Sequence, residues 1–556
     1  TPAVDTTNGK ETVGKKAENT EKKSDSNSIE NTGSKDPRNG KALDKNNAFR
    51  AETTETSGNF NYSMEYSNGK KEIYLYNEEE ADVNIKVSST AGNITKATVK
   101  AGSGQFVLKS KSDQAIAYAK GQGGVKPEEE EVEIDGYGWS YHQTLTETQG
   151  PVTIKITGKP NDEFKKIRTY TKTEDQEAVL GARFLQLKDS TNAELPGGRG
   201  ASDPGYFRLV VKSQTYKYDI KLPESNADKI GVSNVDNPTD ADITKIKNEI
   251  KIKYSDKATT EDARLASKKG EVLADKSTVV GVKEDQTQNI TVENGTVTVT
   301  YKDGSVDTAP VSSVARTNQK PTVEIQYSDP APNKKEVYVY ASEVNSFDIK
   351  IQDDSGKLAS AELRRGSNQP FKDVAGETNK QDTQYGFTAN KFTSETTATA
   401  ENPTVITYTG TPAPEGDFTK EKFEKAIQNG GTPLGWRFVK AIDKDGADAR
   451  GDGGTVADPT AVNVILKPQT QKYDVAEPTA KISVANPNSI TEAELENIKN
   501  NISLEYSKNN NDARLADKKG ERVTDSTPLI KDVKQDTADA NKLVVTYKDG
   551  STDKID

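Results

Sequence analysis

The sequence predicts a mainly β protein: two large β-sandwich domains alternate with two small β-rich modules, each holding a short helix, behind a disordered polar tail. Three observations carry this. Short runs of apolar residues alternate with polar ones at period two, the pattern of half-buried strands. The stretch Thr300-Tyr301-Lys302-Asp303-Gly304-Ser305 returns as Thr546-Tyr547-Lys548-Asp549-Gly550-Ser551, a separation of roughly 250 residues that suits a repeated multi-domain unit and not a small solenoid repeat. Residues 1–57 hold only isolated apolar residues, such as Val13, Ile29 and Leu43, among Lys, Glu, Asn, Thr and Ser. Such a segment buries too little apolar surface to offset its ordering entropy.

From Asn59 the strands begin. Phe60-Asn-Tyr62-Ser-Met64-Glu-Tyr66, Glu72 to Tyr76 and Val83 to Val87 are separated by polar turns such as Ser67-Asn68-Gly69. Gln105 to Val107, Val152 to Ile156, Ala182 to Leu187 and Tyr206 to Val211 follow. Glu163 to Leu180 has room for a short helix. Evenly spaced short strands point to an antiparallel sandwich, larger than a minimal immunoglobulin-like domain. After Lys221-Leu222-Pro223 the pattern changes. Thr239 is placed to cap a helix carrying acids in its first turn and Ile243, Ile246 and Ile250 at helical spacing. Two alternating runs then flank Asp303-Gly304, a hairpin signal.

The whole pattern recurs. Lys70 to Tyr76 matches Lys334 to Tyr340, Tyr137-Gly-Trp139 matches Tyr385-Gly-Phe387, and Pro151 to Gly158 matches Pro403 to Gly410. Arg183-Phe184 matches Arg437-Phe438, and Lys217-Tyr218-Asp219 matches Lys472-Tyr473-Asp474. Asp262-Ala-Arg-Leu-Ala266 returns unchanged as Asp512-Ala-Arg-Leu-Ala516. The expected organisation is a tail at 1–57, a first large domain at 58–222, a first small module at 223–316, a second large domain at 317–473 and a second small module at 474–556.

Composition narrows the function classes. Hydrophobic residues make up 31 % of the 556, and the net charge is −11. Cores are therefore small, and the acidic balance argues against nucleic-acid binding, which needs a basic footprint. There is no Cys and one His, so disulfides, thiolate sites and multi-His metal sites within one chain are excluded. No apolar run approaches the length of a membrane helix. No nucleophile motif, phosphate loop or metal signature stands out, and the chain is expected not to be an enzyme.

Two stretches of the second small module stand out, the helix start Asn486-Pro487-Asn-Ser-Ile490-Thr491-Glu492-Ala493 and the run from Val545 to Asp553. Together they resemble the Rib/alpha-like repeats of Gram-positive cell-wall-anchored surface proteins. The family's Tyr-Pro-Asp-Gly becomes Tyr-Lys-Asp-Gly here, with Lys302 and Lys548 in place of Pro, and the Asp262 and Asp512 stretches resemble the insertion of the long variants. The large domains resemble adhesin β-sandwiches in general terms. The resemblance implies stalk domains of a monomeric extracellular protein, with a signal peptide upstream and further repeats and a wall-sorting signal downstream, attached to peptidoglycan through a region outside this sequence. The expected partner is a host glycan or a matrix or receptor protein, met by the large domains with the small modules as spacers. The alternative is a purely structural stalk whose binding domain lies elsewhere.

Several constellations are candidate sites. Arg450-Gly451-Asp452 resembles the integrin-recognition tripeptide, in which a Gly-flanked loop presents a carboxylate to a receptor metal; tripeptides of this composition also arise by chance. Tyr137, Trp139 and Tyr141 alternate, so their rings share one strand face as a sugar-stacking platform, or else pack in the core. Asp443, Asp445 and Asp448 sit at the spacing of a calcium loop, the one cofactor for which the chain offers ligands; a polar hairpin loop explains them equally. His142 reads as an ordinary strand or loop residue, and Glu128 to Glu131 as a solvated loop. Lys86 and Lys350 are strand lysines that an isopeptide crosslink would use.

Overall fold

The structure, a computed structural model, describes residues 35–36, 41–42, 52–101, 118–121, 131–134, 139–142, 150–160, 177–197, 200–365, 372–373, 385–413, 420–451 and 455–556. It divides into two compact units, residues 1–224 with 232–316 and residues 225–231 with 317–556. Each unit joins one large domain to the small module that follows it.

The first large domain is a sandwich of two sheets. One runs Glu131–Ile134, Trp139–His142, Val152–Gly158, Ala81–Ser89, Phe60–Glu65, Glu52–Ser57, with Tyr118–Gly121 added beside Val152–Gly158. The other runs Glu194–Leu195, Glu177–Asp189, Tyr206–Lys212, Glu72–Tyr76, with Ile94–Ala101 beside Glu177–Asp189. Alternation sends Phe60, Tyr62 and Met64 of the first sheet and Ile73, Leu75, Phe207 and Leu209 of the second into one buried cluster, which makes the two sheets one folding layer pair.

Three features differ from the sequence expectation. Glu52–Ser57 is a strand, although it lies in the stretch read as tail; it forms a hairpin with Phe60–Glu65. Its sequence, Glu-Thr-Thr-Glu-Thr-Ser, carries no apolar alternation, and only Thr53 is fully buried. The sandwich is not wholly antiparallel, because Glu72–Tyr76 lies parallel to Tyr206–Lys212. The helix expected between Glu163 and Leu180 lies outside the described residues up to 176, and from Glu177 the chain is strand. Gln105 to Val107 and Glu128 to Glu130 also lie outside the described residues.

The second large domain repeats the plan. One sheet runs Thr322–Ile325, Asn345–Gln352, Thr404–Gly410, Phe387–Ala389, and the other Glu336–Tyr340, Val462–Lys467, Thr432–Ile442, Ser360–Arg365, Lys372–Asp373. Glu336–Tyr340 again lies parallel to its neighbour. Phe387 faces Gly410 as Trp139 faces Gly158, so the aligned aromatic stretches occupy equivalent positions. A helix, Lys420–Asn429, buries Phe423 and Ala426 against the sandwich core.

Each small module starts with a capped helix. Thr239 Oγ1 accepts from the Asp242 N–H, and the Asp242 carboxylate reaches back to the Thr239 N–H; Thr491 and Glu494 form the same box before the helix Glu492–Asn501. Such boxes satisfy two otherwise unpaired amides. Three antiparallel strands follow, Ile290–Glu293, Thr296–Thr300 and Val306–Pro310 in the first module, and Ile530–Gln535, Leu543–Tyr547 and Thr552–Ile555 in the second. Among the described residues no helix is long and apolar enough to cross a membrane.

Candidate functional site: the joint within each unit

The most elaborate polar constellation among the described residues lies where each sandwich meets its module. The last strand of the first sandwich runs into a single helical turn, Gln214–Lys217, and then into Tyr218–Ile220, which pairs with Ile252–Tyr254 of the module. Lys217 is almost fully buried, and its Nζ reaches Glu79 Oε1 at 2.6 Å. The ammonium also sits 4.5 Å from the ring centre of Tyr76 and 5.4 Å from that of Tyr218, a geometry in which ring quadrupoles stabilise a cation. The other Glu79 oxygen accepts from Gln214 Nε2 at 3.1 Å.

Gln214 clasps the repeated turn. Its N–H donates to Asp303 Oδ2 at 2.7 Å, and its Oε1 accepts from the Asp303 N–H at 2.8 Å. The other Asp303 oxygen accepts from the Ser305 hydroxyl, Gly304 takes a left-handed φ of 85°, and the Tyr301 hydroxyl donates to Asp307 at 2.5 Å. Every polar member of Tyr-Lys-Asp-Gly-Ser-Val-Asp except Lys302 thus has a task in closing the turn or docking it. The Asp262-Ala-Arg stretch supplies a second contact. Tyr76 donates to Asp262 Oδ2 at 2.8 Å, the Ala263 N–H donates to the Ser67 carbonyl at 2.7 Å, and Arg264 Nη2 donates to the Asp82 carbonyl at 2.7 Å. Burial pushes the Asp262 carboxyl up, opposed by the Arg264 charge and the Tyr76 hydroxyl, and raises the Tyr76 phenol far above its ordinary value, assisted by the Asp262 charge.

The second joint reproduces the first. Lys472 pairs with Glu343, Gln469 Nε2 donates to Glu343 Oε2 at 2.9 Å, and Lys472 Nζ lies 4.8 Å from the Tyr340 ring centre. Gln469 N–H donates to Asp549 Oδ2 at 2.7 Å, and the Asp549 N–H returns to Gln469 Oε1 at 3.0 Å. Tyr340 donates to Asp512 Oδ2 at 3.1 Å, Ala513 N–H to the Ser328 carbonyl at 2.8 Å, and Arg514 Nη2 to the Ser346 carbonyl at 2.8 Å. A cavity of about 30 Å³ lies at the first joint, lined by Tyr74, Tyr76, Glu79, Lys217, Asp262 and Arg264 among others. It is roomy enough for a water molecule among these polar side chains. Sequence reading found the repeated motifs at this joint but not their contacts. The one available signal was Gln214-Thr-Tyr-Lys217 returning as Gln469-Thr-Gln-Lys472 with its Gln and Lys kept.

The sequence-derived candidates are not brought together at one place. Asp443 is buried, and its Oδ1 accepts from the N–H groups of Asp445 and Ala447 at 2.9 Å each, while Oδ2 accepts from Asn318 Nδ2 at 2.8 Å. Asp448 Oδ1 accepts from the Arg450 N–H at 3.1 Å. The first copy does the same with Asp189, whose Oδ1 accepts from the N–H groups of Thr191 and Ala193 at 2.9 and 3.1 Å. Asn192, with φ at 67°, holds the left-handed position that Gly446 holds at 91°. These carboxylates thus organise a tight turn, and among the described residues no three acidic or histidine side chains form a cation cage.

Arg450 Nε donates to the buried Asp458 at 3.0 Å, and its guanidinium lies 5.5 Å from the Phe438 ring centre. Gly451 is half-buried against Pro459, and Asp452 lies outside the described residues. Trp139 and Tyr141 lie on one strand paired with Glu131–Ile134; Tyr137 lies outside the described residues. Their counterparts Tyr385 and Phe387 are core residues, with Phe387 stacked on Tyr408 at 4.7 Å. Lys86 and Lys350 are both exposed on the outer sheet face, away from the buried setting that an isopeptide crosslink requires.

The chain is mainly β, built of two-sheet sandwiches each joined to a small β-rich module. No family model matches it, and no curated protein matches it. Among solved structures it is similar to the sialic acid binding region of the Streptococcus sanguinis SK1 adhesin, at 16 % identity and a TM-score of 0.38, covering 90 % of this chain and 97 % of that one. It is similar to the SrpA adhesin from Streptococcus sanguinis at 19 % identity and a TM-score of 0.26, over 43 % of this chain and 92 % of that one. It is also similar to the fibronectin(III)-like modules of Clostridium thermocellum CbhA, at 10 % identity and a TM-score of 0.14, over 78 % and 100 %. No residue role passes from these structures to this chain.

Proposed function

We propose that this chain is a non-enzymatic adhesion protein of a Gram-positive cell surface, in which each sandwich is a contact domain held stiffly by its small module. The observation that supports it is the joint, built twice from the same residues, while the loops at the far end of each sandwich differ. A Lys–Glu pair with little exposure is costly to maintain, and its repetition suits a unit that must transmit orientation or load. The Rib-like character of the modules and attachment to peptidoglycan through a flanking region belong to the same reading, as does a monomeric state. Because the SK1 region is described as sialic acid binding, sialylated glycans are the first ligands to test, followed by matrix and receptor proteins.

The joints alone equally suit a purely structural stalk, and one experiment separates the readings. The full chain is screened on a glycan array with sialylated and asialo members and on immobilised matrix proteins. Binding that is lost on changing exposed residues of the sandwich turns, such as Lys444→Ala, and kept in Tyr76→Phe, supports the adhesin. Silence on every surface supports the stalk. Within the same screen, Asp452→Glu tests the Arg-Gly-Asp stretch: unchanged attachment to integrin-bearing cells removes it.

A further inference from the structure

The two sandwiches differ in one place that bears on partners. In the first, Phe60–Glu65 is flanked on both sides: it pairs with Ala81–Ser89 within the sheet and with Glu52–Ser57 at the rim. In the second, the equivalent strand Thr322–Ile325 pairs with Ile349–Gln352 and ends the sheet. Among the described residues no strand lies on its outer side. The equivalence is set by Ser67 and Ser328. Each Oγ accepts from the N–H of the following sheet's tyrosine, Tyr74 or Tyr338, at 2.8 and 2.9 Å. Each carbonyl accepts from the alanine of the Asp-Ala-Arg stretch. Counting back, Ile325 stands at Met64, Glu324 at Ser63 and Val323 at Tyr62.

We propose that the outer edge of Thr322–Ile325 receives an antiparallel strand from a partner protein, a proline-free extended segment with β-branched residues at its inward positions and a basic residue opposite Glu324. An open edge presents unpaired N–H and C=O groups, and strand addition is an established way to satisfy them. The first sandwich shows what such a strand looks like in place. Thr53 sits opposite Met64 and is fully buried, Thr54 sits opposite Ser63, and Glu55 gathers the Tyr66 hydroxyl at 2.5 Å and Lys71 Nζ at 3.1 Å. In the second sandwich the inward positions across the edge are Ile325, which is buried, and Val323, which is half-buried, while Glu324 is exposed. β-Branched residues opposite the first two and a cation opposite the third satisfy both faces. Glu324 also argues for a different protein over a second copy, because the antiparallel register that pairs Val323 of one edge with Ile325 of the other sets Glu324 against Glu324.

The chain has no Cys, so Glu324→Cys introduces its only thiol. The probe is a synthetic peptide of residues 51–58 carrying Glu55→Thr, so that both inward positions are β-branched, and Thr54→Cys, mixed with the full chain in a glutathione redox buffer. A mixed disulfide should form at least tenfold more than with the same peptide carrying Cys at position 53. The Ser63→Cys chain, whose edge is already covered, should not couple. Equal coupling of the two peptides, or coupling at Ser63→Cys, overturns the proposal. On the unsubstituted chain, a peptide with Thr54→Lys should slow amide hydrogen exchange at residues 322–325; no slowing overturns it as well. Concentration-dependent dimerisation of the chain alone, removed by Glu324→Pro, would make a second copy the occupant and overturn the assignment to another protein.

Discussion

In the first unit Lys217 reaches Glu79, Gln214 clasps Asp303, and Tyr76 holds Asp262; in the second Lys472, Glu343, Gln469, Asp549, Tyr340 and Asp512 repeat these contacts one for one. The far ends do not match in this way. The turn after Asp189 carries Thr191 and Asn192, the turn after Asp443 carries Lys444, Asp445 and Gly446, and among the described residues the rim strand Glu52–Ser57 has no counterpart beside Thr322–Ile325. The residues that join sandwich to module are kept, while those of these turns and of the sheet rim vary. That division is expected when the joint has one mechanical task and the surfaces have separate ones.

The largest way to break this comparison is at the buried ion pair. Lys217→Ala leaves Glu79 without its counter-ion and should destabilise the first unit by about 3–5 kcal/mol. Lys472→Ala should do the same to the second. Calorimetry of the full chain should show one transition lowered in each variant and the other unmoved; joint movement of both would erase the distinction between units. Next come Tyr76→Phe and Tyr340→Phe, each of which removes a hydrogen bond to a buried carboxyl and should cost about 1.5–3 kcal/mol, with similar values in the two copies. The helix caps should follow, at about 1 kcal/mol for Thr239→Ala and for Thr491→Ala by urea unfolding.

A smaller difference separates the turns. Gly446→Ala places a Cβ at φ 91° and should cost about 1 kcal/mol, while Gly446→Asn should cost less, since Asn192 already tolerates the left-handed region. The last effect is confined to acid. Burial works against ionisation of Asp189, but the Thr191 and Ser89 hydroxyls and the N–H groups of Thr191 and Ala193 outweigh it and hold the carboxyl at about 2, below the ordinary 3.8. Its folded-state pKa is therefore depressed. The stability it contributes is present above pH 4 and lost as pH falls towards 2, so Asp189→Asn should flatten the acid limb of the first unit's unfolding curve.

Much of the fold was legible because it rests on local pattern. Phe60 to Glu65 alternates into a single core, Thr239 announces its helix through a capping box three residues long, and Asp303-Gly304 marks its hairpin. Glu52–Ser57 was not legible, because an edge strand of Thr and Glu has no apolar face to read; its pairing is what defines it. The joint was legible only as a repeat. Tyr76 and Asp262 are 186 residues apart, and nothing local in either stretch announces the other. Nothing local marks Lys217 and Glu79 as buried, since burial of a charge depends on a partner that the local pattern does not reveal. The Asp443 loop was read for its acids, whereas its physical content lies in the amides that one carboxylate collects.

The central claim is that each sandwich and its module move as one body. Amide ¹⁵N relaxation on the deuterated full chain tests it most directly, by giving separate rotational correlation times for strand residues of a sandwich and of the module joined to it. The account predicts equal correlation times for Ala81–Ser89 and Thr296–Thr300, and likewise for Asn345–Gln352 and Leu543–Tyr547, with the equality lost in Lys217→Ala for the first pair alone. A shorter correlation time for either module than for its own sandwich in the unsubstituted chain would contradict it.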